Sequence, residues 1–225
     1  MASRRRFVQR AVAGAIVGMV RPLPHWVIVS NEEPSRAYRT PDGAIEEMLA
    51  GNRRFAGNRL NSIEQDLTIL KEHTVDKQEP FAAVLACADS RVPVELIFDQ
   101  SIGHLFVTRV AGNIATPEII ASLEYAVAVL GIRAVLVLGH TNCGAVKAAL
   151  KTETVPGQIS ALYPHLRQAV ERSGGQIDQA IRANTQVQAE LLRSSSTVIM
   201  EAVRKGTLKV AAGVYDLGSG VVTVS

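Results

Sequence analysis

Two short apolar segments with a helical segment between them constrain the fold of this chain more than any other feature. HLFVTRVAG (104–112) is typical of a strand, and RAVLVLGH (133–140) is typical of another. Between them, TPEIIASLEYAVAVLG (116–131) has the pattern of a capped helix that ends at Gly131. A strand, a helix and a strand at this spacing predict a βαβ unit with parallel strands and a right-handed crossover.

The flanking segments extend this pattern into one α/β domain. PFAAVLAC (80–87) is a short apolar run, typical of a buried strand that ends at Cys87. Thr40 and Pro41 are suited to begin a helix as N-cap and first-turn residue. We therefore expect a mostly parallel β-sheet flanked by helices, with an antiparallel edge strand at the C-terminus. The remaining predicted elements are helices within 40–58, 62–78, 159–193 and 198–205, and a hairpin with a glycine-rich turn over 208–225.

Charge and composition exclude a nucleic-acid-binding role for this domain. The 225 residues include 24 basic and 21 acidic side chains, but residues 1–30 contain five arginines and no acid. The remainder is slightly acidic, whereas phosphate binding needs a clustered cationic surface. Only 4% of the residues are aromatic, which disfavours a base-stacking surface. The length favours a single domain, which we place at residues 40–225.

Residues 1–39 form a separate basic and apolar segment with two interpretations. Ser3, Arg4, Arg5 and Phe7 resemble a twin-arginine export signal, and the apolar run 11–20 is too short to span a bilayer as a helix. Export would make the protein periplasmic. However, no Ala-x-Ala cleavage pattern follows the run. The alternative is a basic arm on a cytoplasmic protein, and association with a membrane stays open.

Both cysteines and one histidine lie where a ligand site is expected. Cys87 and His140 each lie at the carboxyl end of a predicted strand, where open α/β sheets bind ligands. Cys143 lies at the start of a predicted helix, and a helix N-terminus favours the thiolate. Two thiolates and an imidazole suit zinc, and a fourth position left for water would make the site catalytic. The alternatives are a Cys87–Cys143 disulfide and two inert buried thiols.

Asp89 and Arg91 alternate with Cys87 along the same turn, so all three side chains can point the same way. In a partly buried turn the arginine keeps the carboxylate ionised and oriented. Such a carboxylate can accept the proton of a zinc-bound hydroxide and aim its lone pair. The plainer alternative is a surface ion pair of little energetic value.

From about residue 43 to residue 220 the chain resembles the β-class carbonic anhydrases. The resemblance rests on CADSR (87–91) and GHTNCG (139–144), together with AGNRRF, LEYAV and GVYDLGSG. It implies zinc held by Cys87, His140 and Cys143, with Asp89 and Arg91 as a catalytic dyad. The implied activity is the reversible hydration of carbon dioxide to bicarbonate and a proton by attack of zinc-bound hydroxide.

The resemblance also implies a substrate pocket and an assembly. Gln78 matches a position that contacts bicarbonate, and Phe106 and Tyr125 match the aromatic pocket residues of plant-like members. These residues are similar to those of members whose site stays open, so we expect Asp89 to pair with Arg91 rather than bind zinc. Such proteins form homodimers or larger homo-oligomers with a pocket lined by two subunits, and the N-terminal segment would then be a dimerisation arm.

Three other functions are compatible with parts of the pattern. A related enzyme would hydrolyse carbon disulfide or carbonyl sulfide at the same site. A zinc-containing scaffold would need neither Asp89 nor Arg91. A thiol redox protein is disfavoured because the cysteines lie far apart in sequence and form no Cys-x-x-Cys motif.

Overall fold

The computed structural model describes residues 36–61, 74–151 and 154–225. Residues 1–35 of the proposed export signal or arm and most of the predicted helix within 62–78 lie outside these ranges. Those assignments, and the domain boundary at residue 40, therefore stay predictions. Among the described residues, no helix is both long and apolar enough to cross a membrane.

The described residues contain a five-stranded sheet in the order β2-β1-β3-β4-β5. The first four strands are parallel, and β5 is antiparallel to β4, which confirms the predicted fold class. The two strands of the predicted βαβ unit are parallel but not neighbours, because β1 lies between them. The strands are β1 (Ala82–Ala86), β2 (Leu105–Arg109), β3 (Ala134–His140), β4 (Lys209–Tyr215) and β5 (Val222–Val224).

This strand order creates a crevice at one edge of the sheet. The chain passes from β1 to β2 on one side and then crosses to β3 on the other side of β1. In open α/β sheets, ligands bind beyond the carboxyl ends of strands where the connections diverge in this way. The carboxyl ends of β1 and β3 are therefore the expected position of a site.

Helices cover both faces of the sheet. Thr40 caps the first helix, since its Oγ1 accepts a hydrogen bond from the Gly43 N–H at 3.1 Å. The helical region predicted from residue 159 is divided, with Gly174 and Gly175 in the left-handed region between two helices. The α-helices of the described ranges are α1 (Pro41–Ala56), α2 (Val94–Ile97), α3 (Pro117–Ala128), α4 (Gly144–Lys151), α5 (Tyr163–Arg172), α6 (Ile177–Ser195) and α7 (Thr197–Arg204); 3-10 helices cover Arg36–Arg39 and Ile159–Leu162.

Alternate residues of each central strand face different helices. Val84 packs in a cluster with Met48 of α1, whereas its neighbour Leu85 packs in a cluster with Leu123 of α3 and Leu192 of α6. Because both faces are covered, β1 and β3 are buried throughout. This explains why their sequences are continuous apolar runs rather than alternating ones.

Asn52 joins α1 to two other parts of the fold. It is 2% exposed, and its Nδ2 donates to the carbonyl oxygens of Ile97 and Gly220 at 3.2 and 2.9 Å. Its Oδ1 accepts from the Val222 N–H at 2.8 Å. One buried amide thus connects α1 to α2 and to the C-terminal hairpin, far along the chain.

Candidate metal centre

The sheet brings Cys87, His140 and Cys143 together. Cys87 follows β1, His140 is the last residue of β3, and Cys143 precedes α4. All three are buried, and one ligand atom from each lies within 4.8 Å of the others. The two sulfur atoms are 4.0 Å apart and both thiols are free, so the structure has no disulfide here.

The His140 ring is oriented by the carbonyl group of the next residue. Its Nδ1 lies 3.0 Å from the Thr141 carbonyl oxygen, which can only accept, so Nδ1 carries the proton and Nε2 has a free lone pair. Nε2 is buried and has no hydrogen-bond partner. An unsatisfied buried acceptor costs about 1–3 kcal/mol. A cation held by Nε2 and the two sulfurs would remove that cost, so these residues fit a metal ion.

The two thiols share a proton. The hydrogen bond from the Cys143 thiol, together with the Gly112 N–H, lowers the pKa of Cys87 well below its usual value against the effect of burial. The pKa of Cys143 is raised by the Cys87 sulfur and by burial. The N–H groups of Ala145 and Val146 do lower the pKa of Cys143, as expected at a helix start, but the adjacent sulfur outweighs them. A divalent cation would displace the shared proton and bind two thiolates.

Asp89 lies beside this cluster and is paired with Arg91, as the sequence predicts. Arg91 donates from Nε to Oδ1 at 2.9 Å and from Nη2 to Oδ2 at 2.8 Å, and its backbone N–H also reaches Oδ1. These hydrogen bonds, led by the guanidinium, hold the pKa of Asp89 well below its usual range. Oδ2 of Asp89 is 3.8 Å from Nε2 of His140. An ionised carboxylate therefore adjoins the candidate metal-ligating atoms.

Arg109, which the sequence analysis did not identify, supports the loop that carries Cys87 and Asp89. It is the last residue of β2, and it donates from Nε to the Cys87 carbonyl at 2.9 Å and from Nη2 to the Asp89 carbonyl at 2.6 Å. An arginine that ends a mostly apolar strand, at the edge of the sheet that holds the site, is the signal that could have identified it.

A pair of buried amides on α6 was also missed. Asn184 Nδ2 donates to the Gly112 carbonyl at 2.8 Å, and Gln188 Oε1 accepts from the Ala115 N–H at 2.9 Å. The two residues are one helical turn apart on a face that also buries Ile181. Polar side chains inside an apolar helical face are the sequence signal of such a network.

The predicted pocket residues lie away from the metal-ligating atoms of the same chain. Phe106 pairs with Ala83, four residues before Cys87, which separates them by roughly 13 Å along the strand direction. The rings of Phe106 and Tyr125 are 6.4 Å apart, and Tyr125 is 47% exposed. Gln78 is exposed in the segment before β1. One chain alone does not bring these three residues to Cys87.

Comparisons with known proteins agree with this geometry. Residues 82–222 match the family model described as carbonic anhydrase. The chain is 32% identical over 194 residues to Carbonic anhydrase 2 of Mycobacterium tuberculosis. This match covers 80% of this chain and 90% of that protein. Among solved structures, a β-carbonic anhydrase of Aspergillus fumigatus has 28% identity and a TM-score of 0.64, covering 80% of this chain and 90% of that chain. A Coccomyxa β-carbonic anhydrase has 28% identity and a TM-score of 0.62, and the match covers 80% of this chain and 85% of that chain.

Proposed function

Because the chain belongs to the β-carbonic anhydrase family, we propose that it catalyses the zinc-dependent, reversible hydration of carbon dioxide to bicarbonate and a proton. The observation that carries this proposal is the cluster of Cys87, His140 and Cys143, whose ligand atoms lie within 4.8 Å of one another beside the Asp89–Arg91 pair. A structural metal would require the three ligands but not the pair.

Zinc is the metal that these residues suit best. Two thiolates and an imidazole are the ligands that zinc prefers, and three protein ligands leave a fourth position open. When bound, zinc would supply a water molecule acidified towards neutral pH, less strongly beside two thiolates than beside histidines. The buried Nε2 of His140, which lacks a hydrogen-bond partner, supports its role as the nitrogen ligand.

Asp89 and Arg91 have complementary roles in this proposal. Oδ2 of Asp89 would accept a hydrogen bond from the reacting water and so orient its lone pair towards carbon dioxide. Arg91 keeps the carboxylate ionised and engages both of its oxygens, which stops Asp89 from becoming a metal ligand. The site therefore stays open for substrate at neutral pH.

We place Gln78, Phe106 and Tyr125 in a substrate pocket that is completed by a second copy of the chain. The separation between Phe106 and Cys87 within one chain supports this arrangement. The exposure of the Tyr125 ring, which the resemblance assigns to a pocket, supports it as well. The assembly is then a homodimer or a larger homo-oligomer.

The test is stopped-flow carbon dioxide hydration by zinc-quantified protein from neutral to alkaline pH. We expect hydration that rises with pH and is about 100-fold to 10,000-fold slower in Asp89→Ala, as for loss of a group that handles a proton. Asp42→Ala is the matched control, because Asp42 is an exposed carboxylate on α1. No hydration at full zinc occupancy would contradict the proposal and favour a structural metal or a sulfur-containing substrate.

A further inference from the structure

Helix α6 reaches the metal centre through a chain of buried hydrogen bonds. Asn184 and Gln188 are each 1% exposed, and neither ligates the metal in the proposed site. Burying two amides on the core face of a helix is unfavourable unless their hydrogen bonds are made. Their partners therefore indicate what these residues are for.

The hydrogen bonds run in one direction from Gln188 to Cys87. Gln188 Nε2 donates to Asn184 Oδ1 at 3.1 Å, which turns the Asn184 Nδ2 towards the Gly112 carbonyl at 2.8 Å. Gly112 in turn donates its N–H to Cys87 Sγ at 3.3 Å. Gln188 is itself fixed, because it also accepts from Ala115 N and donates to the His165 carbonyl.

Gly112 is a residue that needs such support. Its φ of 78° lies in the left-handed region, and the following Asn113 has a φ of 45°. A Cβ at Gly112 would lie 3.3 Å from the Cβ of Ala145 and 3.4 Å from Leu166, so the position is restricted to glycine. Glycine leaves the backbone free to rotate, and the Asn184 hydrogen bond restricts that rotation.

We propose that Asn184 is a positioning residue for the metal centre. By holding the Gly112 carbonyl, it keeps the Gly112 N–H on Cys87 Sγ and so sets how strongly that thiolate binds the metal. Gln188 orients Asn184 for this role. The inference rests on the metal site of the proposed function. Groups that orient a metal ligand from outside the coordination sphere typically change metal affinity 10-fold to 100-fold when removed.

The experiment compares three variants of the full chain. Asn184→Ala removes the donor to Gly112, and Gln188→Ala removes the group that orients Asn184. Asn52→Ala is the matched control, because Asn52 is an equally buried helical amide that donates to two backbone carbonyls away from the metal centre. Zinc affinity is measured by competition with a chromophoric chelator. The absorption spectrum of the cobalt(II)-substituted protein is the second readout.

We expect Asn184→Ala to bind zinc about 10-fold to 100-fold more weakly than the wild-type chain. Its thiolate-to-cobalt charge-transfer band should move to lower energy, since a thiolate without its N–H donor gives up an electron more easily. Gln188→Ala should show a smaller loss of zinc affinity and a smaller shift of the charge-transfer band. Asn52→Ala should lower thermal stability and leave both metal readouts unchanged.

An unchanged zinc affinity and cobalt spectrum in Asn184→Ala, with only lower thermal stability, would overturn the inference. If Asn184→Ala does not fold, the same two readouts in Gln188→Ala decide the question. Neither readout depends on carbon dioxide hydration, so a metal-binding but inactive wild-type protein would refute the proposed function alone. A wild-type protein that binds neither ion would refute both.

Discussion

Replacing Gly51 of α1 by alanine should destabilise the fold, although helix propensity alone predicts the opposite. A Cβ built at Gly51 would lie 1.8 Å from the carbonyl oxygen of Phe98 and 2.6 Å from its carbonyl carbon. Real Cβ atoms do not approach backbone this closely, so α1 must move away from the end of α2 or the backbone there must shift. Such overpacking typically costs about 1–3 kcal/mol and occasionally more.

Several contacts oppose the movement that would relieve this clash. Asn52, the next residue, is held by hydrogen bonds to Ile97, Gly220 and Val222. The cost should therefore exceed the gain of about 1 kcal/mol that alanine has over glycine in a helix. We expect Gly51→Ala to lower the free energy of unfolding by about 2 kcal/mol, or the melting temperature by about 4–8 °C for a chain of this size.

The assay is equilibrium denaturation of the zinc-loaded protein, with melting temperature as a second measure. Gly144→Ala is the matched control, because Gly144 is also helical and nothing lies within 4 Å of a Cβ built there. That variant should be neutral or slightly more stable. A Gly51→Ala protein as stable as the wild-type chain would refute the reasoning, since it would mean that α1 and α2 separate at no cost.

Two further predictions concern metal removal and acid. Chelation of the bound metal should lower the melting temperature, because free metal at 1,000 times its dissociation constant stabilises the folded state by about 4 kcal/mol. Calorimetry with and without zinc checks this, and identical unfolding transitions would contradict it. The His104 side chain is exposed, but partial desolvation of its ring by the surrounding protein lowers its pKa, so the folded state slightly disfavours its protonated form. The stability of the fold that depends on a neutral His104 is fully present above the unfolded pKa of about 6.5. It is lost as the pH falls below that value, because the unfolded chain then binds the proton more readily. His104→Gln should therefore lose less stability than the wild-type chain between neutral pH and about pH 5 in denaturant titrations, and equal losses would count against this assignment.

The cluster of candidate ligand residues could be predicted from sequence because their chemistry and their position agree. Cys87 and His140 are of types that bind zinc, and each ends an apolar run whose length identifies a strand. Parallel strands place their carboxyl ends at one edge of a sheet, so sequence alone brings the two residues together. The pairing of Asp89 with Arg91, which the structure contains, is expected from the resemblance to open-site members, and the spacing of the two residues within one turn allows it.

The supporting residues could not be predicted in the same way, because their partners are distant in sequence. Asn184 contacts Gly112 across 72 positions, and a helical pattern records an amide only as a polar residue. The position of Arg109 at the end of a strand can be read from the sequence, but its acceptors cannot, because they are backbone carbonyl groups. The pocket positions of Gln78, Phe106 and Tyr125 depend on a second chain in the proposed assembly, so neither the local pattern nor one folded chain brings them to the metal.

The glycine before His140 links strand packing to the metal centre. A Cβ at Gly139 would lie 2.7 Å from Cγ2 of Thr185, so α6 can pack this closely on β3 only because residue 139 has no side chain. The same close approach brings Asn184, the neighbour of Thr185, within 2.8 Å of the Gly112 carbonyl. Gly139 and His140 are neighbours on one strand. Gly139 allows the close packing of the helix that positions Gly112 beside Cys87, and His140 provides the nitrogen of the proposed ligand set. The geometry of the candidate metal centre therefore depends on the packing of α6 on the sheet.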